Sequence, residues 1–419
     1  MFDRDKWIEI YQVLSKNAFR TTATAFGVFW GIFMLMIMLG AGQGLEKGAT
    51  ADFMFRATNS VAIWTRSTTK PYGGFKAGRN FEMNNSDMEF LRENIDEMDL
   101  LCPRNQLGGY RGSNNVIRGT KTGAFSIYGD YPDYIKIEPR PITRGRFIND
   151  RDIEEKRKIC VIGERVYEIM FEKGEEPIGK YISVNGVAFM VVGTYASMQK
   201  GERAEEDTQT IFIPFTTFQK AFNYGDIIGW MSVTAKPGVL ASELETTIKE
   251  ALKTRHKIHP EDDRAFGSWN MEKEFLRMSN VFGGIRSLSW FVGILTLLAG
   301  IIGVSNIMLV IIKERTNEFG VRRAVGATPA NVRTQIMLEA VILTSIAGFL
   351  GIIAGVWSLE GVNALIESQG NTGSFRNPGV DFNIVMIALG VLIVSGALAG
   401  VLPANRALNV KTIEALRAE

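Results

Sequence analysis

Lys313 to Ala340 reads KERTNEFGVRRAVGATPANVRTQIMLEA, a charged stretch between two long apolar segments whose local grammar is that of a helical hairpin. Glu314, Glu318 and Arg322 stand four apart, on one face of a helix that continues the preceding apolar run, and Glu318 is spaced to pair with Arg322. Gly326 breaks that helix. Thr328 followed by Pro329 opens the next, with threonine as N-cap and proline at the first helical position, and this second arm runs through Arg333 into the following apolar segment. A hairpin of this kind is a handle by which something soluble can move something embedded.

Ionisable residues vanish from Thr21 to Leu45, Ser287 to Ile312, Ala340 to Leu359 and Phe382 to Asn405. Each run meets the roughly 20 residues needed to cross a hydrocarbon core, so the fold class expected is a membrane protein of four transmembrane α-helices. The first run is longer than a cleavable signal and follows a polar start. Positive residues near spans tend to stay in the cytoplasm. Arg4, Lys6, Lys16 and Arg20 precede the first span, Lys313, Arg315, Arg322, Arg323 and Arg333 lie in the hairpin, and Arg406, Lys411 and Arg417 in the tail. Both termini and the hairpin are therefore expected inside, and the segment 46–286 outside. The resulting division is 1–20 an amphipathic helix along the inner membrane surface, 21–45 the first span, 46–286 a large external domain, 287–312 the second span, 313–339 the hairpin, 340–359 the third span, 360–381 a short external loop, 382–405 the fourth span and 406–419 the tail. The initial helix is expected to lay Trp7, Ile10, Tyr11 and Leu14 on lipid.

The 419 residues are 46% hydrophobic and 22% charged, with a formal net charge of +2 that argues against a nucleic-acid binder. The external segment is long enough to bury a core of its own. It mixes both periodicities, and so reads as α+β. YISVNGVAFMVVGTY, Tyr181 to Tyr195, alternates around Asn185-Gly186 and predicts a hairpin with a type I′ turn. Strands are expected at Val61–Trp64, Ile159–Ile162, Thr210–Ile213 and Trp230–Thr234. Helices are announced by Ser86 with Glu89 and by Ser242 with Glu245, both read as capping boxes. The stretches Gly48–Arg56 and Met271–Arg286 abut spans one and two and read as stalks continuing those helices outward. The Gly- and Asn-rich segment from Pro71 to Asn85 reads as a mobile loop.

Several apparent motifs point to no chemistry. GEEPIGK, Gly174 to Lys180, has the spacing of a phosphate-binding loop, but Tyr181 stands where a Ser or Thr is needed and a strand follows. His256 and His259 have metal-ligand spacing without a third ligand nearby. Cys102 and Cys160 are the only cysteines. An external disulfide is chemically permitted, while the apolar run around Cys160 favours a buried thiol. No nucleophile elbow or zinc-protease helix is present, so the chain itself is not expected to be an enzyme, and no cofactor or metal site is expected on it. Gly27 with Gly31, Gly351 with Gly355 and Gly396 with Gly400 have the spacing that lets membrane helices approach closely.

Together these residues carry a resemblance covering nearly the whole chain. The hairpin ERTNEFGVRRAVGATPANVRTQIMLEA resembles the cytoplasmic motif of MacB/FtsX-type ABC transporter permeases, with Glu318, Gly320, Arg322, Arg323, Ala324, Gly326 and Ala327 holding its pattern. LPANRALNVKTIEALRAE is similar to the family's C-terminus, and ITRGRFINDRDIEEKRKICVIGERV with PIGKYISVNGVAFMVVGTY resembles the external core domain of MacB-like members. The tail departs at Asn409-Val410-Lys411-Thr412, where members often carry Leu-Asp-Pro. The resemblance implies a permease driven by a cytoplasmic ABC ATPase, which binds ATP and Mg and engages Glu314, Arg315, Glu318, Gly320, Arg322, Arg323, Gly326 and Thr328. MacB carries a nucleotide-binding domain ahead of its first span. Twenty residues stand there in this sequence, so the ATPase is expected to be a separate polypeptide. A second permease copy, a periplasmic adaptor, an outer-membrane channel and membrane lipid are the other implied partners. Movement would pass through spans one and two to the external domains, a mode called mechanotransmission, to export a drug, peptide or lipoprotein from the bacterial inner membrane. The alternative is an FtsX-like regulator that activates cell-wall hydrolases without transport.

Overall fold

The computed structural model describes residues 18–50, 53, 56–109, 114–199, 201–368 and 375–408. The interfacial helix expected before residue 18, most of the tail and part of the first stalk lie outside these. The chain forms two units, Thr50–Ser279 and the pair of segments Met1–Ala49 and Asn280–Glu419.

In the second of these units the four charge-free runs lie on four long helices, Ala18–Thr50, Met271–Glu314, Pro329–Ser368 and Phe382–Leu408. Each is long and apolar enough to cross a membrane. Small residues decide how closely they pack. A Cβ placed on Gly351 would lie 2.7 Å from the Phe29 carbonyl oxygen, and one on Gly355 2.6 Å from Met36 Cβ. Only glycine lets the first and third helices meet at that distance. Gly396 and Gly400 bring the fourth helix against Val341 and Met337 of the third, and Gly300 brings the second against Val28 of the first. All three expected glycine pairs thus sit at helix contacts. Ile32, Met36, Val304, Ile336 and Leu392 fill the core so formed, whereas Phe291, Ile302, Trp357 and Leu402 point outward, as lipid-facing residues do.

The Thr50–Ser279 unit is built on strands β1 Ser60–Thr65, β2 Met83–Asn84, β3 Met98–Gln106, β4 Asn114–Arg118, β5 Lys121–Asp130, β6 Ile142–Gly145, β7 Ile159–Gly163, β8 Tyr181–Val184, β9 Val187–Tyr195, β10 Thr210–Pro214, β11 Ile227–Ile228, β12 Trp230–Ala235 and β13 Phe266–Asn270. The order β5-β4-β8-β9-β7-β10 returns to β5, closing a ring, and β3 carries the sheet on to β12, β1 and β13. Phe125, Cys160, Ile162, Phe189 and Ile211 fill the inside of the ring. Helices Asn85–Asn94 and Ala241–Arg255 cover the β3–β12–β1–β13 part with Met88, Leu91, Leu244 and Ile248.

Local signals were kept where the local chain alone decides them. Asn185 and Gly186 have φ of 46° and 87°, the two left-handed residues of a type I′ turn. The four expected strands form. Gly174 to Lys180 is a turn before β8, closed by the Gly179 N–H on the Val191 carbonyl at 2.8 Å. The Gly- and Asn-rich segment is largely irregular but is tied down. Arg79 stacks 4.1 Å from the Phe75 ring centre and donates to the His256 carbonyl at 2.5 Å. His256 faces Asp87, whereas His259 Nδ1 accepts the Glu261 N–H, so the two rings serve different partners. Cys102 and Cys160 are separate buried thiols.

Both capping boxes are corrected. The first helix is capped by Asn84 with Asp87, not by Ser86 with Glu89. Asn84 ends β2 in extended backbone, the conformation a cap requires, which Ser86 inside the first turn lacks. Leu240, without a side-chain bond, precedes the second helix. Its expected cap pair is drawn instead to the root of the Met271–Glu314 helix. Ser242 donates N–H and Oγ to Glu272 at 2.9 Å, and Glu245 accepts from Lys249 at 2.6 Å, Lys273 at 2.8 Å and Asn270 at 2.9 Å. Burial raises the Glu245 pKa, but the Lys249 and Lys273 bonds outweigh it and bring it down to about 2 from 4.5. A carboxylate depressed in this way contributes stability that is full above the unfolded value and is lost as pH falls toward the folded one. In thermal unfolding of the purified chain, wild type should therefore lose about 2–3 kcal/mol across pH 4.5 to about 2 from this group. Glu245→Gln should be less stable at neutral pH and lack that part of the acid slope. Parallel pH curves for the two proteins would contradict this role.

Candidate functional site

The hairpin is two helices joined by an ion pair, a hydrogen bond and an apolar contact, and its first arm is a separate helix. The Met271–Glu314 helix ends at Glu314, and Thr316–Ala324 follows after Arg315, which leaves helical geometry at φ −99°, ψ 13°. This corrects the expected uninterrupted continuation. Thr316 supplies a cause, since its hydroxyl donates back to the Ile312 and Lys313 carbonyls at 3.1 and 2.9 Å, a bonding pattern that bends helices. The arm ends as the sequence predicts. Gly326 takes φ 107°, and the Ala327 and Gly326 N–H groups return to the Arg322 and Arg323 carbonyls, closing a Schellman motif. Thr328 Oγ1 then accepts the Asn331 N–H at 3.3 Å and caps the second arm.

Glu318 is the centre of the charge network. Arg315 donates to both its oxygens, at 2.7 and 2.8 Å, and Arg322 Nη2 approaches Oε1 at 2.8 Å, which is the expected Glu318–Arg322 pair. Each arginine also crosses to the other arm. Arg315 reaches Glu339 at 3.2 Å and Arg322 donates to Gln335 at 2.9 Å. Only 13% of the Arg315 side chain is exposed. Burial works against its charge, but the Glu318 and Glu339 carboxylates more than offset this and raise its pKa. Arg323 donates to the Leu408 carbonyl at 3.1 Å, at the end of the fourth long helix, where Phe319 and Gly320 are buried beside Ala407. Phe319, Val332 and Ile336 supply the apolar contact beneath.

The structure thus divides the eight candidate residues. Arg315, Glu318, Arg322 and Arg323 form the internal frame, and Gly320 is buried within it. Glu314, Gly326 and Thr328 are exposed. Sequence reasoning overlooked three participants, namely Glu339, Gln335 and the exposed apolar tip. Glu339 left a readable signal, because it stands in the buried stripe Val332, Ile336, Glu339, Ala340, Leu343 at helical spacing. A carboxylate in such a stripe needs a partner. At the tip, Val325 is 84% and Val321 47% exposed. They lie one turn apart and form an apolar knob with no cover among the described residues.

Four long apolar helices, with an α+β unit inserted between the first and second and an ion-paired hairpin between the second and third, define a multi-pass membrane protein. Comparison with known families specifies it. The MacB-like periplasmic core domain matches residues 21–251 and the FtsX-like permease C-terminal domain residues 290–412. The chain belongs to this family of MacB-like, FtsX-like ABC transporter permeases. It is 27% identical, over 98% of its length, to the macrolide export ATP-binding/permease protein MacB of Wolinella succinogenes. It is 26% identical, again over 98%, to the pyoverdine export ATP-binding/permease protein PvdT of Pseudomonas entomophila. It spans 60% and 59% of those two proteins. Among solved structures, the periplasmic region of MacB from Actinobacillus actinomycetemcomitans aligns with a TM-score of 0.44 at 19% identity, covering 55% of this chain and 96% of that one.

Proposed function

We propose that this chain is the permease subunit of an exporter, worked by a separate cytoplasmic ABC ATPase that docks on the hairpin. The observation carrying this reading is the hairpin itself, whose polar network and apolar contact join two helices and leave an apolar tip exposed. ATP and Mg would be held by the ATPase, with Arg315, Glu318, Arg322 and Arg323 keeping the hairpin in shape as it is pushed. A second permease copy would complete the transporter, and the external unit would work on substrate together with an adaptor and an outer-membrane channel. The relatives' names, macrolide and pyoverdine export, favour export over signalling and suggest a drug-like or peptide substrate; a lipoprotein is the further candidate. Glu245, which anchors the root of the second long helix to its own unit, supports transmission through that helix.

Two measurements test this. The purified chain should hydrolyse no ATP, whereas an ABC ATPase encoded beside it should copurify and show turnover that depends on the permease. ATP turnover by the chain alone would overturn the division of labour. For orientation, single cysteines replacing Thr122 and Thr328, both exposed, should differ in intact spheroplasts. Thr122→Cys should react with a membrane-impermeant maleimide and Thr328→Cys should not. Background is low because both native thiols are buried. Labelling at position 328 from outside would invert the topology and remove the hairpin from the ATPase.

A further inference from the structure

The strand ring has one stretch of outer face left largely open among the described residues. Side chains that are direct partners across a sheet lie on the same face. Tyr181 of β8 pairs with Met190 of β9, which pairs with Ile159 of β7. In the next row Thr122, Ile117, Ser183 and Ala188 pair across β5, β4, β8 and β9. Their sequence neighbours Ile182, Phe189 and Cys160 point into the ring core. An outer face left to water should be polar. Here Tyr181 is 61% and Ile117 39% exposed, with exposed Ala188 and half-buried Met190 on the neighbouring strand β9 and Ile159 buried at the edge.

Three cations border this apolar floor. Arg146, Arg157 and Lys158 line, with Ile159, Tyr181 and Met190, a groove of about 570 Å³, within the size range of small-molecule sites. Arg146 and Arg157 are fixed from behind by Asp152, which is fully buried and accepts from Arg146 Nη2 at 3.0 Å, while Arg157 also pairs with Glu155 at 2.7 Å. Lys158 is exposed and has no carboxylate partner among the described residues. Three cations against two carboxylates leave the rim positive, and two of the three are held in place, so little side-chain order is lost on binding an anion.

We propose that this bare face is a binding groove for a small amphiphilic anion, a carboxylate or phosphate head joined to an apolar body. The head would sit at Lys158 and the Arg157 guanidinium, and the body on Tyr181, Met190 and Ala188. This site is independent of the hairpin and of the reading placed on it.

The test uses the full chain carrying Ala188→Cys in phosphatidylcholine nanodiscs, labelled with a water-soluble maleimide. Burial pushes the Cys102 thiol up to about 12 and raises that of Cys160 as well, so the native cysteines stay silent. Millimolar octanoate should slow labelling, about threefold at roughly twice its Kd, because the rate follows the free fraction. Octyltrimethylammonium, with the same body and opposite head, and inorganic phosphate, with a head and no body, should leave the rate unchanged. Adding Lys158→Glu, an exposed substitution, should abolish octanoate protection. Equal protection by the cationic analogue or by phosphate would overturn the proposal, as would none by octanoate. A residue 188 already unreactive without ligand would reveal an interface with a second copy, and one blocked only in anionic phosphatidylglycerol nanodiscs a membrane contact. Either result would overturn the proposal too.

Discussion

Replacing Glu318 and Arg322 together by alanine should leave the permease inserted and at normal abundance, yet reduce transport and permease-dependent ATPase stimulation about tenfold to a hundredfold. Folding depends little on these groups. Both are partly exposed, and pairs of that kind contribute about 0–1 kcal/mol. Coupling depends on them more, because Glu318 holds Arg315 and Arg322, and these in turn reach Glu339 and Gln335 on the other arm. Without Glu318 and Arg322 the arms keep the Gly326 turn, the Phe319–Val332–Ile336 contact and an Arg315–Glu339 pair that Glu318 no longer orients, so a push on one arm moves the other less. A motor shifts a conformational equilibrium only through contacts that differ between its own states. Losing about 1.4–2.8 kcal/mol of that coupling gives the expected factor. Arg322→Lys, which keeps the charge but loses the fork shared between Glu318 and Gln335, should fall between. Reconstitution of the double variant with its ATPase decides the matter, since full transport with full stimulation would remove this network from the coupling path.

How much of this was legible depends on the distance between partners in the chain. The charge-free runs, the Asn185-Gly186 turn, the Gly326 break and the Thr328-Pro329 start are local, and the sequence shows each of them correctly. Two failures are local, the Asn84 cap two residues ahead of Ser86 and the helix break at Arg315, and the others are long-range. Ser242 and Glu245 have the spacing of a capping box, but Glu272 takes Ser242 while Lys273 and Asn270 join Lys249 on Glu245, and nothing near Ser242 announces these distant partners. Arg315 reads as one more surface charge until the second arm folds back and brings Glu339 alongside it. The ring of strands is of the same kind, since parallel pairing of β10 with β5 joins segments far apart in sequence. The exposed tip was missed for another reason. Val321 and Val325 sit among so many charges that composition alone labels the whole hairpin polar.

That tip supports the sharpest test of the proposed ATPase docking. Val325→Asp should weaken ATPase binding by about thirtyfold or more while changing the stability of the permease by less than about 1 kcal/mol. At 84% exposure Val325 supports no core, so its replacement in the free permease costs only a small dipole penalty, about 0.3–1 kcal/mol for an anion at a helix C-terminus. In a docked complex the balance reverses, because a carboxylate pressed into an apolar socket without a partner costs 2 kcal/mol or more, which corresponds to about thirtyfold in Kd. Val325→Leu keeps the apolar knob and should bind like wild type. Val321→Asp, one turn away on the same face and 47% exposed, should act in the same direction with a smaller effect. The measurement is the affinity of nanodisc-embedded permease for the nucleotide-bound ATPase, with thermal unfolding as the control. Unchanged affinity in Val325→Asp would mean that the tip stays in water throughout the cycle. Recognition would then have to rest on the exposed charges of Lys313 and Glu314, and the ion-paired frame would serve the shape of the hairpin alone.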